Sequence, residues 1–261
     1  MEVYDIALLV LGGIFSGVLA GFLGIGGGVV LVPMLVAFGY LPVQAVATSS
    51  LAILVTSTAG TIQNWRMGVL SWRRVIFLGF PAIITAQIGA FLAGQFLPYI
   101  LLAAFGILLW INIYLVELRK QIVSKGVNPS KLLTPSMARL VTGGLAGFLA
   151  GLFGVGGGVI MVPLQILLLG EPIKTAIQTS LGVIVITAIS ACIGHATAGN
   201  ILILPGLILG FGGLIGVQFS TRFLPKLSDQ LVSVLFRTML ALLSLYIFVQ
   251  AWQSYQGFSA G

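Results

Sequence analysis

Charged side chains are scarce in this 261-residue chain: 12 Lys+Arg and 5 Asp+Glu make up 7% of positions, where a soluble domain carries about 25%. That scarcity excludes a water-soluble globule. Five blocks, 6–65, 75–116, 140–170, 175–221 and 238–261, contain no Asp, Glu, Lys or Arg at all. Carboxylates are the usual groups of intramembrane proton relays and cation sites, so their absence disfavours a cation transporter and an intramembrane protease with an aspartate pair or a zinc His-Glu site. Cys192 is the single cysteine, which excludes an intramolecular disulfide and a multi-cysteine metal centre. No G-x-x-x-x-G-K loop is present, so the chain does not power itself with ATP. No cofactor and no metal are expected. The start, Met1-Glu2-Val3-Tyr4-Asp5, lacks the positive n-region of a cleavable signal peptide, and the first apolar stretch reads as a retained helix.

Apolar residues fill the charge-free blocks, and a membrane-spanning helix needs roughly 20 of them. The blocks therefore hold several spans each, and the fold class is an all-α polytopic membrane protein. Breakers delimit helical segments at 6–23, 28–39, 43–63, 71–94 and 97–116, then at 137–153, 158–170, 174–194, 203–222 and 229–252.

The two sets correspond. Gly17 to Pro33 matches Gly147 to Pro163 at eleven of 17 positions with a constant offset of 130. Thr48-Ser49-Ser50-Leu51 aligns with Gln178-Thr179-Ser180-Leu181, and Asn64-x-x-x-Gly68 with His195-x-x-x-Gly199 after a one-residue slip. The organisation read from this is a first membrane repeat at 1–116, a cytoplasmic linker at 117–136 and a second membrane repeat at 137–261.

Lys and Arg in short loops face the cytoplasm. With the linker inside, and with the first two segments of each half forming a broken or re-entrant hairpin, eleven of the twelve cations lie inside; the twelfth, Arg237, falls within the last helix. Both termini are then outside, and the halves run in opposite senses, the inverted repeat of many secondary transporters. The net charge of +7 becomes an orientation signal, and nucleic acid is not expected as a partner. The expected partners are a small anionic substrate and the lipid bilayer, with a homo-oligomer left open.

Glycine, 35 residues, is concentrated at two breaks: Gly24, Gly26, Gly27 and Gly28, and Gly154, Gly156, Gly157 and Gly158. The segment after each break is short, about 18–20 Å long against about 30 Å of hydrocarbon, which puts both breaks near mid-membrane. A helix start exposes amides that have no partner in lipid, and its partial positive charge favours an anion. Two such starts entering from opposite faces would hold one oxyanion between them. The competing reading is tight helix crossing at small residues. A leucine at Gly27 or Gly157 is expected to fill the anion's place. Pro33 and Pro163 imply either a later helix start or a kink.

Thr48, Ser49, Ser50, Gln178, Thr179 and Ser180 are candidate uncharged donors to that anion; back-bonding to their own helix is the alternative. Asn64, His195 and Arg237 are candidates for gating or coupling. Asn64 is expected near the cytoplasmic surface and His195 near the outer one, as an imidazole that hydrogen-bonds or carries a proton; Arg237 either snorkels or clamps substrate. No catalytic residue is expected.

The paired elements Gly21 to Pro33 and Gly151 to Pro163, of the form G-x-x-G-x-G-G-G-x-x-x-V-P, with the T/Q-S/T-S-L step and the later N/H-x-x-x-G, resemble the sulfite exporter TauE/SafE family of permeases over nearly the whole chain apart from the linker. The resemblance implies a multi-pass permease of a prokaryotic cytoplasmic (inner) membrane moving small sulfur-containing or organic anions such as sulfite, sulfoacetate or other C2 sulfonates, often outward. Alternatives are an anion channel, an importer of a related sulfur or C2 carboxylate compound, and a non-transporting membrane enzyme. Export fits the physics: at about 100 mV, inside negative, each negative charge leaving gains roughly 2.3 kcal/mol.

Overall fold

The computed structural model of the protein describes residues 3–124 and 134–259. Among them are ten α-helices and no strand: α1 (Val3–Leu23), α2 (Gly28–Ala37), α3 (Pro42–Arg66), α4 (Trp72–Ala93), α5 (Pro98–Ser124), α6 (Pro135–Phe153), α7 (Gly158–Leu168), α8 (Ile173–Thr197), α9 (Ile203–Phe223) and α10 (Asp229–Ser259), with a 3-10 turn at Leu224–Lys226. Proline opens three of them, at the first helical position of α3, α5 and α6, where its missing N–H has no intrahelical acceptor to lose. By length and composition α1, α3, α4, α6, α8, α9 and α10 are apolar enough to cross a membrane, while α2, α7 and the Pro98–Tyr114 stretch of α5 are shorter apolar helices.

α3 and α8 form the centre, with 72% of each span buried against 28% for α10. Around them α1 packs along α9 and α4 along α6, with α5 against α10. The α1–α9 pair is in backbone contact: a Cβ on Gly13 would strike the Leu209 carbonyl and one on Gly17 the Gly213 carbonyl. Gly143, Gly147 and Gly151 of α6 meet the carbonyls of Leu78, Ala82 and Ala86 of α4 in the same way. In hydrocarbon no hydrophobic effect pulls helices together, so close approach at small residues supplies the attraction instead. Both pairs run parallel, since residue numbers rise together along each contact. α3 likewise runs parallel to α9, with Ala52 and Val55 at Gly210 and Thr56 at Gly213, and α8 parallel to α4, with Val75 at Gly182 and Gln87 at Gly194. Outward-facing Phe15, Phe80, Phe91, Trp110, Phe211 and Trp252 are exposed, a surface suited to lipid rather than water.

Arg73, Arg74, Arg139 and Lys174 gather at one end, the cationic end. There Arg74 Nε lies 3.2 Å from Glu171 Oε1, Lys174 Nζ lies 3.5 Å from Asp229 Oδ1 and donates to the Pro225 carbonyl at 3.2 Å, and Arg73 and Arg139 both stack over Phe77. The loops 38–43 and 93–98, which share a small cavity, contain no Lys or Arg, and neither does 198–202.

Three sequence expectations shift. α5 continues to Ser124, so the first eight residues of the expected linker are helical; Leu118, Arg119, Lys120 and Gln121 are good helix formers, and the polar surface ends the span without ending the helix. Lys125 and Lys131 lie outside the described residues. α2 and α7 begin at the last glycine of each break, Gly28 and Gly158, and run through Pro33 and Pro163, so a later start is excluded. Finally, α3 and α8 correspond at an offset of 131 along their whole length, because α7 has one residue more than α2. The slip therefore precedes the third helices, and Thr48-Ser49 pairs with Thr179-Ser180.

Candidate functional site

Each glycine break reverses the chain by the same steps. Gly24 and Gly154 end α1 and α6 in the left-handed region, φ 66° and 63°, with their N–H groups donating to Ala20 and Ala150. Gly26 and Gly27, φ 73° and 84°, and Gly156 and Gly157, φ 75° and 77°, stay left-handed before α2 and α7 start. Three left-handed residues within four positions are available only to glycine. After the break α2 runs back along α1, with Met34 against Gly12.

The two breaks meet. A Cβ on Gly28 would strike the Gly154 carbonyl and come 2.6 Å from Val155 Cα, and one on Gly158 would strike the Gly24 carbonyl and come 2.8 Å from Ile25 Cα. Ser49 Oγ donates to the Gly154 carbonyl at 2.7 Å, and Ser180 Oγ to the Gly24 carbonyl at 2.7 Å. Each third helix thus tethers the turn of the opposite half. Thr187 Oγ1 donates to the Gly156 carbonyl at 3.0 Å, and Ser16 Oγ to the Gly27 carbonyl at 3.0 Å.

The carbonyls of the turns are held; several amides are not. Val30 and Leu31 donate to Gly27 O and Met161 to Gly157 O, but among the described residues no acceptor takes the amides of Gly26, Gly27, Gly28 and Val29, nor those of Gly156 and Gly157. All of these residues are buried. A backbone N–H withdrawn from water without a partner costs on the order of 1–3 kcal/mol, so the breaks are two clusters of donors in want of an acceptor.

Side chains also reach this place. Ile53 of α3 and Ile184 of α8 both lie where a Cβ on Gly26 or on Gly156 would project, with methyl carbons 2.9–3.2 Å from it, and both isoleucines are fully buried. Ile53 and Ile184 therefore fill the space beside both turns. The neighbours of Gly27 and Gly157 also alter the leucine expectation. A Cβ at Gly27 would strike Ser16 Oγ and one at Gly157 the Ala146 carbonyl, so those substitutions disrupt the fold instead of filling the space between the turns.

The remaining candidates separate. Besides its bond to the opposite turn, Ser49 bonds Val46 O, as Ser180 bonds Ile177 O; Ser50 bonds only Val46 O in its own helix; Thr48 Oγ1 accepts from Leu202 N at 3.1 Å. Thr179 and Gln178 are buried on α8 and are not bonded to either turn. Asn64 and His195 occupy the last turns of α3 and α8, at opposite ends of the bundle, and both are wholly buried by the adjoining helices. His195 Nε2 donates to Gly151 O at 2.9 Å, and Asn64 has both polar atoms unpaired among the described residues. Arg237 is half-buried on α10. No group of three or more His, Cys, Asp or Glu suited to a metal occurs among the described residues. Ser16, Ile53, Ile184 and Thr187 went unnoticed in the sequence. The offset of 131, which aligns Ser49-x-x-x-Ile53 with Ser180-x-x-x-Ile184, is the signal that finds the two isoleucines.

The tethers make a stability test. Ser180→Ala or Ser49→Ala leaves a buried turn carbonyl without its hydroxyl partner and is expected to cost about 1–3 kcal/mol. Ser50→Ala, which loses only a bond within its own helix, should stay within about 0.5 kcal/mol. Thermal unfolding of the detergent-purified variants measures the difference, and equal effects at Ser50 and Ser180 would reject the tether.

The sequence profile of the family described as Sulfite exporter TauE/SafE matches residues 9–247. A protein of Methanocaldococcus jannaschii named Probable membrane transporter protein MJ0441 is 27% identical over 257 residues, covering 92% of this chain and 94% of that protein. Probable membrane transporter protein YunE of Bacillus subtilis is 25% identical over 258 residues, covering 90% and 94%. No solved structure matches the chain.

Proposed function

Since the chain belongs to the sulfite exporter TauE/SafE family and is a membrane transporter, we propose that it moves small oxyanions, sulfite or sulfonates such as sulfoacetate, out of a prokaryotic cell across the cytoplasmic membrane, holding the anion between the two glycine turns. The observation that carries this is the pair of abutting turns with unpaired amides. Two helix starts, each abutting the opposite turn, favour negative charge, and glycine lets an oxygen reach the backbone. Uncharged donors suit a site that must also release its ligand. Gly24, Gly26, Gly27 and Gly28 make one side of it, and Gly154, Gly156, Gly157 and Gly158 the other. Ser49 and Ser180 fix the turns, with Thr48, Ser50, Gln178 and Thr179 on the same helices.

The architecture that serves this is an inverted repeat exposing the anion alternately to each side, with both termini outside. Support comes from the packing. Exchanging the halves turns the parallel α1–α9 pair into the parallel α6–α4 pair, and α3–α9 into α8–α4, while the direction of the chain between the cationic end and the Lys- and Arg-free end reverses. The cationic end is cytoplasmic by the positive-inside rule.

Purified protein in liposomes tests the function. With an interior-positive potential of about 100 mV, labelled monoanion is expected to accumulate about 50-fold and a dianion about 2,000-fold without a coupling ion. Absence of flux of sulfite and sulfoacetate through correctly inserted protein rejects the proposal.

A further inference from the structure

At the cationic end a cavity of about 300 Å³ opens between the starts of α4 and α6 and the end of α7, lined by Arg74, Leu78, Arg139, Gln165, Leu169 and Glu171 among others. Its charges are unequal. Arg74 is paired with Glu171, but Arg139 rests on the Phe77 ring, 5.7 Å from its centre, with no carboxylate partner among the described residues. Gln165, 1% exposed, donates to Ala176 O at 3.3 Å and closes the inner wall. Two guanidinium groups and a single carboxylate, the latter paired with Arg74, line one space and leave a net positive cavity whose donors suit a planar or tetrahedral oxyanion.

The charged and amide residues that line this cavity have no like counterparts in the other half. The positions corresponding to Arg74, Arg139, Gln165 and Glu171 are Pro205, Leu9, Leu35 and Tyr40, and Leu9 and Leu35 are buried in the apolar core. The glycine turns, their serine tethers and their isoleucines are all duplicated, so they treat the two faces of the membrane alike. Arg74, Arg139, Gln165 and Glu171 are not duplicated and belong to the cationic end alone.

We infer that this cavity is a second, peripheral anion site, a loading vestibule in which a small divalent or monovalent oxyanion binds between Arg139 and Arg74 and competes with Glu171 for the Arg74 guanidinium. The inference rests on the proposed transport of oxyanions for its role and on the proposed orientation for its placement on the cytoplasmic side. There it raises the local anion concentration at the face from which export starts. Glu171 acts as a built-in competitor that keeps the site from holding its anion too long.

Binding of labelled sulfite to the purified, detergent-solubilised protein, measured at low and high ionic strength, tests it apart from transport. Arg139→Gln is expected to weaken sulfite binding about tenfold and to flatten its salt dependence, and Glu171→Gln to tighten it about threefold. A merely structural role for these side chains would not move binding in opposite directions. If the wild type binds sulfite and both variants bind it equally well, the vestibule is overturned while the site between the turns stands. If binding depends on Arg139 and Glu171 as expected but liposomes show no flux, the vestibule stands and the transport proposal fails. If the wild type binds neither sulfite nor sulfate, both are overturned.

Discussion

Gly158→Val is expected to abolish sulfite flux in liposomes and to lower the thermal midpoint of the purified protein. The new Cβ would strike the Gly24 carbonyl and lie 2.8 Å from Ile25 Cα and from Ile184 Cδ1. Ile184 has a rotatable end, but a backbone carbonyl and a Cα do not, so the opposite turn must retreat as a whole. Overpacking of that kind costs about 1–3 kcal/mol, or roughly 2–12 °C in midpoint for a chain of this size. The loss of flux follows from separating the two sets of amides. Gly28→Val, which would strike the Gly154 carbonyl, should behave the same way. Gly199→Ala is the control: its φ of 70° makes any side chain strained, about 1–2 kcal/mol, yet a Cβ there meets nothing within 4 Å. It should lose some stability and keep its flux. Normal transport by Gly158→Val would mean that contact between the turns is irrelevant to function.

The contrast between those two glycines shows where sequence reading stops. That Gly24 to Gly28 and Gly154 to Gly158 interrupt helices is legible, because a cluster of glycines in an apolar run, followed by a segment too short to span, has few other meanings. That α2 and α7 restart at Gly28 and Gly158 is legible for the same reason. That the breaks touch each other depends on contacts between residues about 130 positions apart, which no local pattern carries. Ser49 and Ser50 are adjacent and chemically identical, yet one hydroxyl reaches the other half's turn while the next bonds its own helix. The 100° step between neighbours on a helix decides which is which, and only the packed structure fixes the phase. Ile53 and Ile184 were hidden among many isoleucines. Asn64 and His195 lie at helix ends, as their sequence positions indicate, but that the adjoining helices cover them is a matter of packing that sequence position does not carry. The end of α5 was set too early because charge marks where lipid stops, not where hydrogen-bonded helix stops.

Ile53→Asp separates an anion cradle from simple packing more sharply than any glycine change. The Ile53 side chain lies against both Gly26 and Gly156, next to the unpaired amides, and is fully buried. A carboxylate moved there from water without partners would cost several kcal/mol and prevent folding. If the amides form a cradle, that carboxylate instead accepts their hydrogens and becomes a resident occupant. The expected result is a folded, monodisperse protein whose sulfite flux is at least about 100-fold lower, since the substrate must displace a tethered competitor worth roughly 2.7 kcal/mol or more. Sulfite should also cease to stabilise this variant against heat. Ile53→Asn, of nearly the same size but uncharged, leaves the amides open to a free anion and should still be stabilised by sulfite, at the cost of the lost isoleucine packing, about 2–4 kcal/mol. The opposite pattern, with the asparagine variant folded and the aspartate variant aggregated, is what an apolar contact between two glycine turns produces, and it would leave the anion without a seat at the centre of the protein.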